Sequence, residues 1–263
     1  MTTPVHLMRV LPALLRPYRR IFLLSHMRAY TSLFGHILGS HPDIEGYYEL
    51  QIGYHSWRSL IRQKLHYFYY HDHSPKPRAQ YLLDKILHNG HRLDASILDR
   101  PGDVYVFCLR PPEETIPSII QLYQRLAPGH QWTTESGAFD YYMSRLTGLE
   151  HLSETLRGRY LYIDAECLTN DTTRALAFLT DNLNLATPLE PEYHRGPMTG
   201  HPYRGDPSER IDCGHVISTP STKPPINDHR HLTEAITRYH TVRRQLAGGC
   251  ESAFFYDSPN RQS

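Results

Sequence analysis

The chain has 263 residues, 40% hydrophobic and 21% charged, enough for one α/β domain with a buried core; a disordered polymer is excluded. Its formal net charge is only +1, so steering of nucleic acid by the field of the whole protein is excluded, and an anionic ligand must be held by a local cluster of donors. No apolar run reaches the roughly 18–20 residues that span a bilayer.

Val5 to Arg20 is rich in leucine and arginine and is interrupted by Pro12 and Pro17. It lacks the clean apolar centre and cleavage site of a secretory signal, and reads as a packing segment or as a basic arm touching a membrane surface. Arg20 to Ser25 is a short apolar run and predicts a buried strand. Thr31 to Ser40 has Leu33, Phe34, Ile37 and Leu38 at helical spacing, and His41-Pro42-Asp43 ends it. Ile44 to Leu50 predicts a tyrosine-rich strand, Trp57 to Tyr70 a helix, and His71 to Arg78 a loop. The apolar run Tyr81 to Ile86 follows, and Val104 to Leu109 is the clearest strand in the chain. Pro112 to Leu126 predicts a helix with proline in its first turn. Helices over Ser136 to Arg157, Asp171 to Asn184 and Leu232 to Leu246 complete the pattern, with a strand over Tyr160 to Ile163 and a frayed tail from Ser258.

Apolar strands alternating with amphipathic helices imply a three-layer α/β fold, a mainly parallel central sheet with helices on both faces. A single domain is expected over 1–263, with a core over 20–185, a Pro- and Gly-rich loop segment over 186–228, and a closing helix over 229–247. Ligands in such sheets sit beyond the carboxyl ends of the strands. The segments after Leu24, Ile86, Leu109 and Ile163 are therefore the places to look for chemistry.

Two of them carry anion-binding chemistry. Ser25 to Ser32 is a P-loop-like strand–loop–helix, whose helix start offers unpaired N–H groups, the hydroxyls of Thr31 and Ser32, and the charge of Arg28. The alternative reads Thr31 and Ser32 as helix caps and Arg28 as a solvated surface charge. No Gly-x4-Gly-Lys-Ser/Thr motif is present, which argues against an ordinary nucleotide hydrolase or kinase. At the second place, Arg110 ends a buried strand and Ser118 follows eight residues later on the next helix; a guanidinium fork and a hydroxyl can grip one phosphate. Lys85 is one of only four lysines and lies inside an apolar run, where it must pair with Asp84 or Glu49 or face an anionic ligand. The eighteen histidines show no metal-site spacing; the tightest cluster is His71-Asp72-His73 in a Pro-rich loop. Cys108, Cys167, Cys213 and Cys250 show no metal spacing either, and a reducing, cytoplasmic setting is expected.

The two anion sites, in this order, resemble the sulfotransferase family. Arg28-Ala29-Tyr30-Thr31-Ser32-Leu33 lies on its first motif, a basic residue, small residues and two hydroxyls, with Tyr30 where the family has glycine. Arg110-Pro111-Pro112 with Ser118 lies on the second, Arg-x-Pro with a serine eight residues after the arginine. Tyr160 to Leu168, Phe178 to Leu185, and His41-Pro42-Asp43-Ile44 with Glu49 resemble further family phrases, so the likeness covers about residues 20–185. It implies a sulfuryl donor, 3′-phosphoadenosine 5′-phosphosulfate, with no metal required. Arg28, Ala29, Tyr30, Thr31 and Ser32 would surround its 5′-phosphosulfate, and Arg110 and Ser118 would hold its 3′-phosphate. Arg204 and Gly205, in the loop Tyr203 to Ser208, stand in for a C-terminal Arg-Lys-Gly segment absent as such, or form a plain surface turn.

Arg28 and Lys85 are the cations expected at the transferring group. Glu49 is the expected base for the acceptor hydroxyl, with His55 and His88 as rivals. The implied acceptor is a small molecule, lipid, sugar or carrier-bound group, with no nucleic-acid partner. The competing readings are a small-molecule or nucleotide kinase and a catalytically inactive nucleotide-binding member of the fold.

Overall fold

In the computed structural model, which describes residues 4–200, 209–218 and 225–256, every long apolar run of the sequence becomes either a strand of one sheet or the buried stripe of a helix against it. In chain order the elements are α1 (Pro4–Leu15), β1 (Arg19–Ser25), α2 (Thr31–Ser40), β2 (Ile44–Glu45), α3 (Trp57–Lys64) continued by a π-helical turn (Leu65–Tyr70), and β3 (Tyr81–Ile86). Then come α4 (Ala95–Leu98), β4 (Val104–Leu109), α5 (Pro112–Leu126), a 3-10 turn (Gln131–Thr133), α6 (Glu135–Thr155), β5 (Tyr160–Asp164), α7 (Cys167–Asn170), α8 (Thr172–Asn182), α9 (Glu209–Asp212), α10 (His229–Gly249) and β6 (Ser252–Phe254).

The six strands pair in parallel in the order β2-β3-β1-β4-β5-β6. Side chains alternate between faces along each strand, and both faces are covered, which is why the runs are apolar throughout. Phe22, Leu24, Leu82, Ile86, Phe107 and Tyr162 join the core beneath α5, α6 and α10. Ile21, Leu23, Leu83, Val106 and Ile163 join the core beneath α2 and α8. The three-layer α/β expectation holds.

Three local expectations differ. The strand expected over Ile44 to Leu50 pairs only at Ile44–Glu45. Gly46 then turns away at φ +90°, so close to β3 that a Cβ would stand 2.3 Å from the Leu83 carbonyl oxygen. That turn carries Glu49 off the sheet edge toward the end of β3, where the Leu50 amide donates to Asp84 Oδ1 at 2.9 Å. The helix expected over Trp57 to Tyr70 is α-helical only to Lys64. The wider turn that follows buries both Tyr67, stacked 4.2 Å from His73, and Phe68, stacked 5.6 Å from Tyr18. Finally, β6 extends the sheet past the closing helix, a three-residue strand with no alternation long enough to read.

Candidate active site

The loop between β1 and α2 is built under strain. Arg28 and Tyr30 have φ of 65° and 53°. A left-handed backbone costs roughly 1–2 kcal/mol for a residue bearing a Cβ, so surrounding bonds must hold it. They do. The fully buried His26 accepts from the Arg110 amide through Nε2 (3.1 Å), which leaves Nδ1 to donate to the Met27 carbonyl (2.9 Å). Burial drives the His26 pKa down to about 4, so the ring is neutral. The Met27 amide donates to the Tyr141 hydroxyl at 2.8 Å, and Ser25 Oγ donates to the Cys108 carbonyl at 2.6 Å. The loop is thus pinned to β4 and to α6. Tyr30 takes the backbone conformation that a glycine reaches without cost.

The two anion sites read from the sequence are one site. Arg28 Nε donates to Ser118 Oγ at 2.8 Å, joining the β1 loop to α5. Arg110 is 4% exposed. It donates to the Arg28 carbonyl (3.0 Å), the Tyr30 hydroxyl (2.9 Å) and Glu114 Oε2 (3.0 Å), and its guanidinium lies 4.2 Å from the centre of the Tyr30 ring. Its Nε is buried and has no hydrogen-bond partner among the described residues. Buried Thr31 and half-buried Ser32 open α2, whose first turn has no side-chain cap. Ala29 is fully buried in the core beneath α2. Glu114 is the part of this cluster that the sequence reading missed, although an acid four residues beyond Arg110 on a helix is a readable pair.

Lys85 and Asp84 point to opposite faces of β3, as successive strand residues must. Asp84 shares a face with Leu82 and Ile86 and accepts from the Tyr54 hydroxyl (2.5 Å) and the amides of Leu50 (2.9 Å) and Lys85 (2.8 Å); burial raises its pKa to about 7. The Lys85 side chain leaves β3 from the other face. It is 2% exposed and runs along α2, its Cδ 3.5 Å from where a Cβ on Gly35 would stand.

Beyond β3 lies a second cluster. Glu49 Oε1 is 3.5 Å from His91 Nδ1 and 4.0 Å from His88 Nε2. The Glu49 carboxylate holds the His91 pKa above the usual imidazole value, whereas burial lowers that of His88. His88 stacks on Trp132 with rings 5.6 Å apart and nearly parallel. With Asn89, Asp140, Tyr141 and Arg145 these two rings line a cavity of about 340 Å³. Tyr141 lines this cavity while its hydroxyl receives the Met27 amide, so one tyrosine touches both clusters. His55 is apart from Glu49's imidazole neighbours, exposed on the segment leading into α3 with its ring against Gly53. Arg204 and Gly205 lie outside the described residues.

Arg145 organises the whole edge. It is buried on α6 and donates to the carbonyls of Ser25 (2.8 Å) and Ile86 (2.5 Å) and to Asn89 Oδ1 (2.8 Å), tying the carboxyl ends of β1 and β3. Burial lowers its pKa to about 10, still far above neutrality. The signal for it was available. With Tyr141, Tyr142, Leu146 and Leu149 it falls on the apolar stripe of α6, and an arginine at a core position is the informative exception.

No family model and no curated protein matches this sequence. Among solved structures it is similar to the sulfotransferase domain from the Synechococcus PCC 7002 olefin synthase, at 18% identity over 93% of this chain and 97% of that one, with a TM-score of 0.55. The chain has a sulfotransferase fold. It is also similar to the sulfotransferase domain from the curacin biosynthetic pathway (16% identity, 84% of this chain and 98% of that one, TM-score 0.49). A further likeness is to mouse sulfotransferase SULT7A1 complexed with PAP (15% identity, 68% and 64%, TM-score 0.42). In this sulfotransferase fold the His71 and His73 rings both bond to the Tyr48 hydroxyl, at 2.7 and 3.1 Å. Among the described residues no group of three or more His, Cys, Asp or Glu is placed to hold a metal ion, and no helix is long and apolar enough to cross a membrane.

Proposed function

We propose that this chain transfers a sulfuryl group from 3′-phosphoadenosine 5′-phosphosulfate to an acceptor hydroxyl or amine. The observation that carries the reading is the joining of Arg28, Ser118 and Arg110 around the loop that opens α2, with a carboxylate–imidazole cluster at the next strand end. In this reading Arg110 and Ser118 take the 3′-phosphate, and the loop Arg28 to Ser32 takes the 5′-phosphosulfate. The reaction forms an O–S bond to a hydroxyl acceptor or an N–S bond to an amine and breaks the S–O bond to the 5′-phosphate, which leaves as 3′-phosphoadenosine 5′-phosphate. Lys85 and Arg28 balance charge on the sulfuryl and leaving oxygens, where preorganised donors act most strongly. Glu49 accepts the acceptor's proton, beside His91, whose charged form the carboxylate favours.

One observation favours a second assignment of the base. His88 lines the cavity with its side chain 28% exposed, whereas Glu49 is 9% exposed behind it. There His88 takes the proton and Glu49 stabilises the imidazolium. A kinase reading predicts stabilisation by magnesium-ATP, an inactive member predicts donor binding without turnover, and both are separable from ours on the same protein. The four free thiols fit the reducing, cytoplasmic setting included in this reading.

Titration calorimetry in chelator tests the donor half. The wild-type chain is expected to bind 3′-phosphoadenosine 5′-phosphate. Removing one partner of a desolvated charge pair costs roughly 2–5 kcal/mol, so Arg110→Ala should weaken binding about 30-fold or more. It should also erase the preference for a ligand bearing the 3′-phosphate over adenosine 5′-phosphosulfate. A preference surviving the substitution removes Arg110 from that role.

A further inference from the structure

Seven of the nine large hydrophobic side chains exposed among the described residues sit on α1, α3 and the π-helical turn, elements that pack against one another. On α1 they are Leu7 (46% exposed), Met8 (75%), Leu11 (45%) and Leu15 (74%), one stripe of the helix, while Val10 and Ala13 on its other side are buried in the core. On α3, Trp57 (61%) and Ile61 (45%) are one turn apart, and Tyr70 (64%) ends the π-helical turn. An apolar stripe of this size in water needs a partner.

The charge of the same elements says which. α1, α3 and the π-helical turn contain Arg9, Arg58, Arg62 and Lys64 and not one aspartate or glutamate. The first 80 residues hold ten arginines and lysines against four acids, although the whole chain is nearly neutral. On α3 the exposed Arg58 and Arg62 flank Trp57 and Ile61, and the Arg58 guanidinium lies 5.7 Å from the Trp57 ring. Basic side chains beside apolar ones, with tryptophan and tyrosine at the margin, are the composition that seats a helix in the headgroup layer of an anionic bilayer.

We propose that α1 and α3 form a face that docks this protein reversibly on an anionic lipid surface. The apolar stripe enters the interfacial layer, and Arg58 and Arg62 approach the headgroups, whereas Arg9 is paired with Asp72. The arrangement leaves the candidate active site open to water. Arg16 of the α1–β1 link reaches the Ala79 carbonyl just before β3, and Arg20 at the start of β1 bonds to Gln63 of α3. The α1 side of the face thus adjoins the amino ends of the strands, while the Arg28–Arg110 cluster lies at their carboxyl ends.

Co-sedimentation of the full chain with phosphatidylcholine vesicles, with and without phosphatidylglycerol, tests this. Binding is expected to the anionic vesicles only, and to weaken with added salt. Met8→Glu combined with Leu15→Glu should abolish it; both sites are exposed, so folding is spared, and binding of 3′-phosphoadenosine 5′-phosphate should be unchanged. Arg58→Gln and Arg62→Gln should each lower vesicle affinity roughly five-fold. Trp57 fluorescence should shift to the blue on vesicle addition, a shift lost in Trp57→Phe. Failure to bind anionic vesicles, or equal binding by the Met8/Leu15 variant, overturns the proposal. So does a concentration-dependent dimer that the same variant abolishes, which gives the face to a second copy.

Discussion

At the carboxyl ends of β1 and β4 the charged groups are bonded to one another: Arg110 to Glu114, to the Tyr30 hydroxyl and to the backbone of Arg28, and Arg28 to Ser118. At the end of β3 they are held beside one another without being locked: Glu49 stands 3.5 and 4.0 Å from two imidazoles, one of which stacks on an indole at the wall of a cavity. The first arrangement presents fixed donors and a resident counter-charge; on the proposed reading an anion enters it by exchange for internal partners. The second holds groups whose proton affinities are pushed apart, His91 upward by the carboxylate and His88 downward by burial. Groups separated in this way suit proton transfer, and donors fixed in place suit binding.

The largest effect is expected at the second cluster. Glu49→Gln keeps size and hydrogen-bonding reach but cannot take a proton at neutral pH. It should lower turnover roughly 10²–10⁴-fold while leaving the affinity for 3′-phosphoadenosine 5′-phosphate unchanged by calorimetry. His88→Asn run in parallel decides which of the two groups touches the acceptor. If His88→Asn abolishes turnover and Glu49→Gln leaves it whole, Glu49 is not the base; if Glu49→Gln weakens donor binding, the two clusters are not separable.

Acid should act on the two clusters in opposite directions. The folded pKa of His26 is depressed, to about 4, so folding favours its neutral form. The stability this contributes is present above the unfolded value near 6.5 and is lost as pH falls from there toward 4, by about 3 kcal/mol for a shift of this size. His91 is raised, so its contribution is complete below about 6.5 and is lost as pH rises through the folded value. The Asp84 carboxyl, raised to about 7, acts in the opposite sense to His26 over pH 7 to 4, so the test is the difference between two proteins: in denaturant titrations over that range His26→Gln should lose less stability, or gain more, toward pH 4 than the wild-type chain. An unchanged slope in that variant would show that the imidazole does not brace the loop.

How much of this could be read beforehand follows from what each feature depends on. Val104–Leu109 and Pro112–Leu126 were legible to the residue, because a continuous apolar run, a strand-ending arginine and a first-turn proline are local signals. Arg110 at the end of β4 and Ser118 on α5 were legible in their places because both elements carry local signals. The bond from Arg28 to Ser118 was not, since it depends on β1 and β4 being neighbours in the sheet. His91 was missed because the segment after β3 is irregular and carries no period; only the turn at Gly46 brings Glu49 to it. Arg145 was written in the α6 stripe and passed over. The shortening of β2 followed from that same Gly46 turn, which the tyrosine-rich run conceals.

The smallest expected effect concerns Tyr30, which sharpens what is meant by a resident partner. Its hydroxyl takes a hydrogen bond from Arg110 Nη2, and its ring underlies the guanidinium. A phosphate arriving at Arg110 must replace the first of these and can keep the second. A neutral hydrogen bond contributes roughly 0.5–1.5 kcal/mol net, so Tyr30→Phe should raise the affinity for 3′-phosphoadenosine 5′-phosphate by about two- to tenfold. Tyr30→Gly also relieves the left-handed backbone, but gives up the ring stacking and adds chain entropy to the unfolded state. Its donor affinity should therefore stay close to that of Tyr30→Phe rather than exceed it severalfold. Calorimetry on the two variants separates hydroxyl from ring. If both lose affinity, Tyr30 is a donor-binding side chain and not a competitor for Arg110, and the exchange picture of the first cluster fails at that residue.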